Sequence, residues 1–289
     1  MRKRIVSVYF ILISMCWGAS TALAYIPTSA QILDQYLKTV GQLKRMEVQE
    51  KLVYFDTRIK EGTAEFQETV KYFFPDRFRS DIKAQTTTKS MIVTFEKALV
   101  LLDGKIAAEK EVGFDYYKDL LLFRNRLMLS VRLQSIGIDL GQTRLDRFEN
   151  RVVFVIGERD DHGKETPSLY VDKKTFLPLR LVFTGASTEE GTELFEILFL
   201  EWKKFGKTKF PSRIELYKNH TLAREINVEK IICEPEFDEA LFDVDTIKGN
   251  ISQRGGSQNE TITGGAHDGD VKKTIDDLDK IIEKDQLAF

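Results

Sequence analysis

The chain has 289 residues, 42% of them hydrophobic and 30% charged, and a formal net charge of −2. That length buries a sizeable core, as one large domain or two small ones. The near-neutral charge offers no electrostatic basis for nucleic-acid binding.

Residues 1–24 read as a signal peptide. Arg2-Lys3-Arg4 supplies the positive start, and Ile5 to Trp17 is an apolar run too short for a comfortable membrane span. Ala22-Leu23-Ala24 forms a small-residue cleavage site, so the exported chain should begin at Tyr25. Cys16 leaves with that segment. Cys233 is then alone in a strand-like stretch and reads as an inert thiol.

From Tyr25, Thr28 or Ser29 can cap a helix that runs to Val40, with Ile32, Leu33, Tyr36, Leu37 and Val40 on one face. Strands follow. Glu47 to Thr57 is rich in Val, Leu, Tyr and Phe. Glu65 to Phe74 alternates, with Phe66, Val70, Tyr72 and Phe74 on one face. Pro75-Asp76 breaks it. Arg77 to Ile82 alternates again, and Met91 to Phe95 and Leu99 to Leu102 flank a tight turn. Asp115 to Gln134 has the period of one long amphipathic helix. Tyr117, Leu120, Leu121, Leu127, Met128 and Val131 lie on one side, and Arg124, Arg126 and Arg132 suit its solvated face. A helix lying on a membrane surface would read alike, but one packed on the sheet is favoured.

Strands resume at Thr143 to Phe148 and Arg151 to Gly157. Ser168 to Phe183 is a hairpin around Asp172-Lys173-Lys174-Thr175, with Leu179, Leu181 and Phe183 on one face and Arg180 and Val182 on the other. Leu194 to Phe205, Phe210 to Tyr217 and Thr221 to Glu234 complete the set. The last places Leu222, Ile226, Val228 and Ile232 together. The ordered domain spans residues 25–245. Residues 246–270 read as a disordered linker, and 271–289 as a short amphipathic helix with Val271, Ile275, Leu278 and Ile282 at helical spacing.

The residues show no catalytic or metal-binding constellation. His162, His220 and His267 have no ligand spacing, and no nucleophile elbow, phosphate-cradling loop or Cys-x-x-Cys occurs. The expectation is therefore a non-enzyme without cofactor or metal. A twisted sheet with one apolar face and few helices must close, be covered or bind something apolar. The candidate lining is Phe66, Val70, Tyr72, Phe74, Leu179, Leu181, Phe195, Ile197, Phe199, Ile214 and Ile226. An ordinary filled core beneath the helices is the competing account of the same residues.

The order of elements carries a resemblance. After the capped helix come Phe73-Phe74-Pro75-Asp76-Arg77-Phe78, Leu102-Asp103-Gly104, a helical insertion, Val171-Asp172-Lys173-Lys174-Thr175-Phe176-Leu177-Pro178, and a closing Pro235-Glu236-Phe237-Asp238 with Phe242. This resembles the LolA-like periplasmic lipoprotein carriers and outer-membrane lipoprotein-sorting proteins, over about Ser29 to Val244. It implies a mainly β fold with some α: an incomplete antiparallel barrel of about ten or eleven strands, capped by helices. The implied function is a periplasmic carrier or chaperone that holds the acyl chains of lipoproteins or lipids for transfer toward the outer membrane, with transient membrane contact. The alternative is an envelope sensor or assembly factor that binds a protein partner, with the C-terminal tail as one route to it. In the proteobacterial carriers an arginine before the strand-breaking proline helps hold the cavity closed. Here that position is Phe74, and Arg77 and Arg79 are the nearby arginines.

Mass spectrometry of the exported protein is expected to find Tyr25 as its first residue. An N-terminus at Met1, or an acylated Cys16, would contradict the leader assignment.

Overall fold

The computed structural model describes residues 25–55, 62–84, 87–111, 113–160, 165–188 and 191–255. The proposed leader, His162, His267 and the amphipathic segment 271–289 lie outside these residues. Thirteen antiparallel strands form one sheet: β1 Arg45–Phe55, β2 Thr63–Phe73, β3 Arg77–Lys83, β4 Thr88–Val93, β5 Ala98–Leu102, β6 Lys105–Ala108, β7 Thr143–Phe148, β8 Arg151–Ile156, β9 Ser168–Asp172, β10 Pro178–Thr188, β11 Gly191–Phe205, β12 Thr208–Lys218 and β13 Thr221–Cys233. Their order is β6-β5-β4-β3-β2-β1-β13-β12-β11-β10-β9-β8-β7. Two meanders thus meet where β1 pairs with β13, and among the described residues β6 and β7 are the unpaired edges. The result is an incomplete barrel.

Thirteen strands exceed the ten or eleven expected. The short β6 has Ile106 as its one large apolar residue, so alternation could not mark it. Two bulges also change faces. One between Pro178 and Arg180 opposite β9 turns Leu179 away from Leu181, and Leu179 packs with Val153 and Val155 on the other side of the sheet. The second lies between Gln49 and Glu50 opposite β13. Beyond it Ile231, rather than Ile232, packs against the main core.

Helix α1 (Ser29–Val40) forms as its sequence predicts. Thr28 and Gln31 make a reciprocal capping box, and Ile32, Leu33, Tyr36 and Val40 are buried. Its end is fixed to the β11–β12 turn. Thr208 Oγ1 donates to the Val40 carbonyl at 2.7 Å. Gly41 follows at φ +79°, where a Cβ would fall 2.3 Å from the Lys207 carbonyl oxygen, so only glycine fits.

The predicted long helix over 115–134 is instead three pieces: a 3₁₀ turn Gly113–Tyr116, α2 Tyr117–Leu122 and α3 Arg126–Ser135. Phe123 and Asn125 leave helical geometry, and the Asn125 side chain caps α3 by accepting from Leu127 N and Met128 N. The break turns the second half over. Leu129 and Leu133 face inward, while Leu127 and Val131 are exposed. The expected linker also begins as structure. Helix α4 (Val244–Gly255) sets Val244, Ile247 and Ile251 against Ile92, Leu99 and Leu101 on the convex face. An apolar spacing of three and four residues explains this despite the polar composition. No helix among the described residues is long and apolar enough to cross a membrane.

One continuous core fills the space between the concave face, α1 and the 113–135 cover. Phe199 lies in it, fully buried. Phe199→Ala is expected to lower unfolding free energy by about 3–5 kcal/mol, measured by denaturant titration.

Candidate functional site

The concave face carries most of the predicted lining. Val70, Tyr72, Phe74, Leu181, Phe195, Ile197, Phe199, Ile214 and Ile226 belong to the main core, and Phe66 packs against it. Leu179 alone is displaced, by the β10 bulge. The cover seats on this face through rings. Phe114 meets Phe195 edge-on at 5.2 Å, Tyr116 meets Phe183 at 5.5 Å, and Phe183 stacks on Phe195 at 5.2 Å. Gly113 passes so close to the Phe195 ring that a Cβ would lie 2.8 Å from it.

Polar contacts hold the cover at its margins. Lys118, fully buried on α2, pairs with Glu111 and Asp119. Arg132 on α3 grips the same two carboxylates, at 2.6 and 2.8 Å, and lies 5.5 Å from the rings of Tyr116 and Phe123. Burial opposes charge on Glu111, but Lys118 and Arg132 hold its carboxyl below the usual range. Arg124, in the break between α2 and α3, donates to the carbonyls of Leu121 and Gly41. Its guanidinium stands 4.8 Å above the Phe74 ring. The three arginines therefore do not share a solvated face. Only Arg126 is well exposed, beside Asp34.

The two arginines near Phe74 in sequence are engaged elsewhere. Arg77 pairs with Glu239, and Arg79 binds Asp81 and the Leu241 carbonyl; neither touches the cover. The arginine that lies on Phe74 is Arg124 of the cover.

The sequence reading missed a polar island beneath α2. Glu50 on β1 and Glu68 on β2 stand directly opposite one another, 1% and 6% exposed. Ser80 on β3 donates to Glu68 Oε1. Arg224 on β13, itself buried, covers the rings of Tyr54 at 4.7 Å and Phe114 at 5.3 Å. Burial first, and the neighbouring Glu68 second, hold the Glu50 carboxyl well above the usual 4.5, with Arg224 pulling the other way. Burial also raises Glu68, against the pull of Ser80 and Arg224. Two adjacent buried carboxyls cannot both ionise cheaply, so the pair holds protons more tightly than free carboxyls do. Glu50 Oε1 and the hydroxyl of the fully buried Tyr72 have no hydrogen-bond partner among the described residues. A signal was present: Glu68 shares the parity of Phe66, Val70 and Tyr72, and Glu50 that of Val48 and Leu52.

An incomplete antiparallel barrel with a helical cover over its concave side is the LolA-like fold. The LolA superfamily protein from Nitrosomonas europaea superposes with a TM-score of 0.51 at 10% identity, over 76% of this chain and 100% of that one. An outer membrane lipoprotein-sorting protein domain from Vibrio parahaemolyticus gives 0.49 at 11% identity, over 76% and 97%. A DUF1329 family protein from Desulfovibrio piger gives 0.47 at 12%, also over 76% and 97%. No family model and no curated protein matches the chain. At these identities the likeness is one of fold.

The carboxyl pair makes a pH prediction. Above about pH 4.5 the unfolded chain releases protons that folded Glu50 and Glu68 keep, so their contribution to stability falls as pH rises. Glu50→Gln/Glu68→Gln should remove that decline. Melting curves from about pH 4 to about pH 8 should show the variant gaining on the parent toward neutral pH. An unchanged difference across the range would refute the shared proton.

Proposed function

We propose that the protein is an exported, periplasmic carrier of the acyl chains of lipoproteins or lipids, which it holds against the concave face beneath the 113–135 cover. One observation supports this most. The cover meets the apolar face through side chains, and no strand of the sheet runs through it. Its ring contacts can therefore be exchanged for contacts with a hydrocarbon chain without breaking the sheet. Each methylene removed from water contributes about 0.8 kcal/mol, so the predicted residues need no special chemistry to bind such a chain.

The margins suit this role. A surface hollow of about 410 Å³ lies between the β4–β5 turn and the cover, lined by Phe95, Ala98, Glu111, Tyr116 and Arg132. On the outer side of α3, Leu127 is 71% exposed and Val131, one turn later, 45%. Paired exposed apolar residues on the outer side of the cover fit transient contact with a membrane surface. The alternative, an envelope factor binding a protein partner through the tail, rests on residues 271–289.

Lipid extraction and native mass spectrometry of protein from cells with intact membranes should recover acyl species in near-stoichiometric amount. Arg124→Leu should speed saturable uptake of a fluorescent acyl probe by loosening the cover. Purified protein with no lipid and no saturable uptake would refute the carrier. A specific protein partner lost on removal of residues 256–289 would instead favour the second reading.

A further inference from the structure

The polar island has no role in holding hydrocarbon, and it lies on the face that the carrier reading assigns to cargo. We propose that Glu50, Glu68 and Tyr72 form the head-group end of the acyl-chain site, and that they receive a protonated primary amine at the polar end of the cargo. This rests on the carrier reading of the preceding subsection.

Three observations lead there. First, the island is built for donors. Glu50 Oε1 is buried and unpartnered, and the Tyr72 hydroxyl, on the same face of β2 two residue pairs along, is buried and also unpartnered. An ammonium brings three N–H donors and no acceptor. Second, the charge balance has room for one cation. The two carboxylates stand against one buried guanidinium, that of Arg224. Half-buried Lys89 on β4 adds a weaker pull on Glu68. Ser80 on β3 and Tyr117 on the cover, the other polar groups facing the pair, are neutral. Empty, the pair is balanced by the proton it keeps; loaded, by the ammonium. Third, the surroundings are apolar. Phe66 and Leu52 flank the pair along β2 and β1, and Val70 follows on β2, so an alkyl chain attached to that amine would find hydrocarbon on leaving the island.

The exchange balances simply. The ammonium enters with its charge, the proton shared by the two carboxyls passes to solvent, and no covalent bond changes. A fatty carboxylate would meet two carboxyls and is disfavoured by like charge. A fatty alcohol can hydrogen-bond but brings no charge.

The test uses the full exported chain loaded with N-phenyl-1-naphthylamine, a neutral dye that fluoresces in apolar surroundings. Dodecylamine, 1-dodecanol and dodecanoate then compete below their micelle concentrations. Dodecylamine should displace the dye at about tenfold lower concentration than dodecanol, as one charge-assisted contact would give, and dodecanoate should be weakest. Calorimetry in two buffers of different ionisation enthalpy should show release of about one proton per dodecylamine bound. Glu50→Gln/Glu68→Gln should still take up dye but rank dodecylamine with dodecanol and release no proton. Tyr72→Phe, which keeps the ring and the carboxyls, should narrow the gap and guards against a Gln variant that does not fold. Dye uptake with equal ranking of the three chains, or an amine preference that survives in the Gln variant, would overturn the head-group site and leave the carrier standing. No dye uptake and no displacement by any chain would sink both.

Discussion

Everything in this fold depends on the pairing of β1 with β13. It joins residues near 46 to residues near 233, and it is the seam that makes two meanders into one concave face. Contacts so distant in sequence carry a loop-closure cost, and local structure reinforces them. Lys44 N and Arg45 N donate to the Glu234 carboxylate, and Glu234 N donates to the Arg45 carbonyl. The polar island straddles the same seam, with Glu50 on one side and Arg224 on the other. The cover, in turn, seats on residues from both meanders: Phe74 belongs to the first, Phe183 and Phe195 to the second.

Two kinds of buried charge follow from that geometry. At the margin, Glu111 and Asp119 are matched by Lys118 and Arg132, each carboxylate touching both cations. Such a closed set offsets much of its own desolvation, and deleting one member would strand the others. Inside, Glu50 and Glu68 are matched incompletely, and burial raises both carboxyls. The first arrangement fixes the cover in place. The second leaves polar capacity unused under it.

Much of the fold could be read from the chain. Strict alternation in β2, the Thr28–Gln31 cap and the turn residues of the hairpins located most strands and α1, because each is a local signal with a local cause. What could not be read was non-local. Bulges at Leu179 and Glu50 arise from register with a partner strand, so parity counted along one segment assigned Leu179 and Ile232 to the wrong face. The break at Phe123 to Asn125 was hidden because the helical period resumes after it. Partial burial of Arg124 and Arg132 against partners from other elements could not follow from their charge alone. The polar island was legible in part. Glu68 interrupts an apolar face, but its meaning appears only when β1 brings Glu50 beside it.

The unpaired edges β6 and β7 have a mechanical consequence. A closed barrel has a circumference fixed by its hydrogen bonds, and widening it means breaking a ladder. Here the circumference is interrupted, and the 113–135 cover is part of the connection between the two edge strands. The sheet can splay or coil more tightly by small changes of twist spread over its strands, with every backbone pair intact. On the carrier reading proposed above, capacity is then an elastic property of the chain rather than a fixed volume.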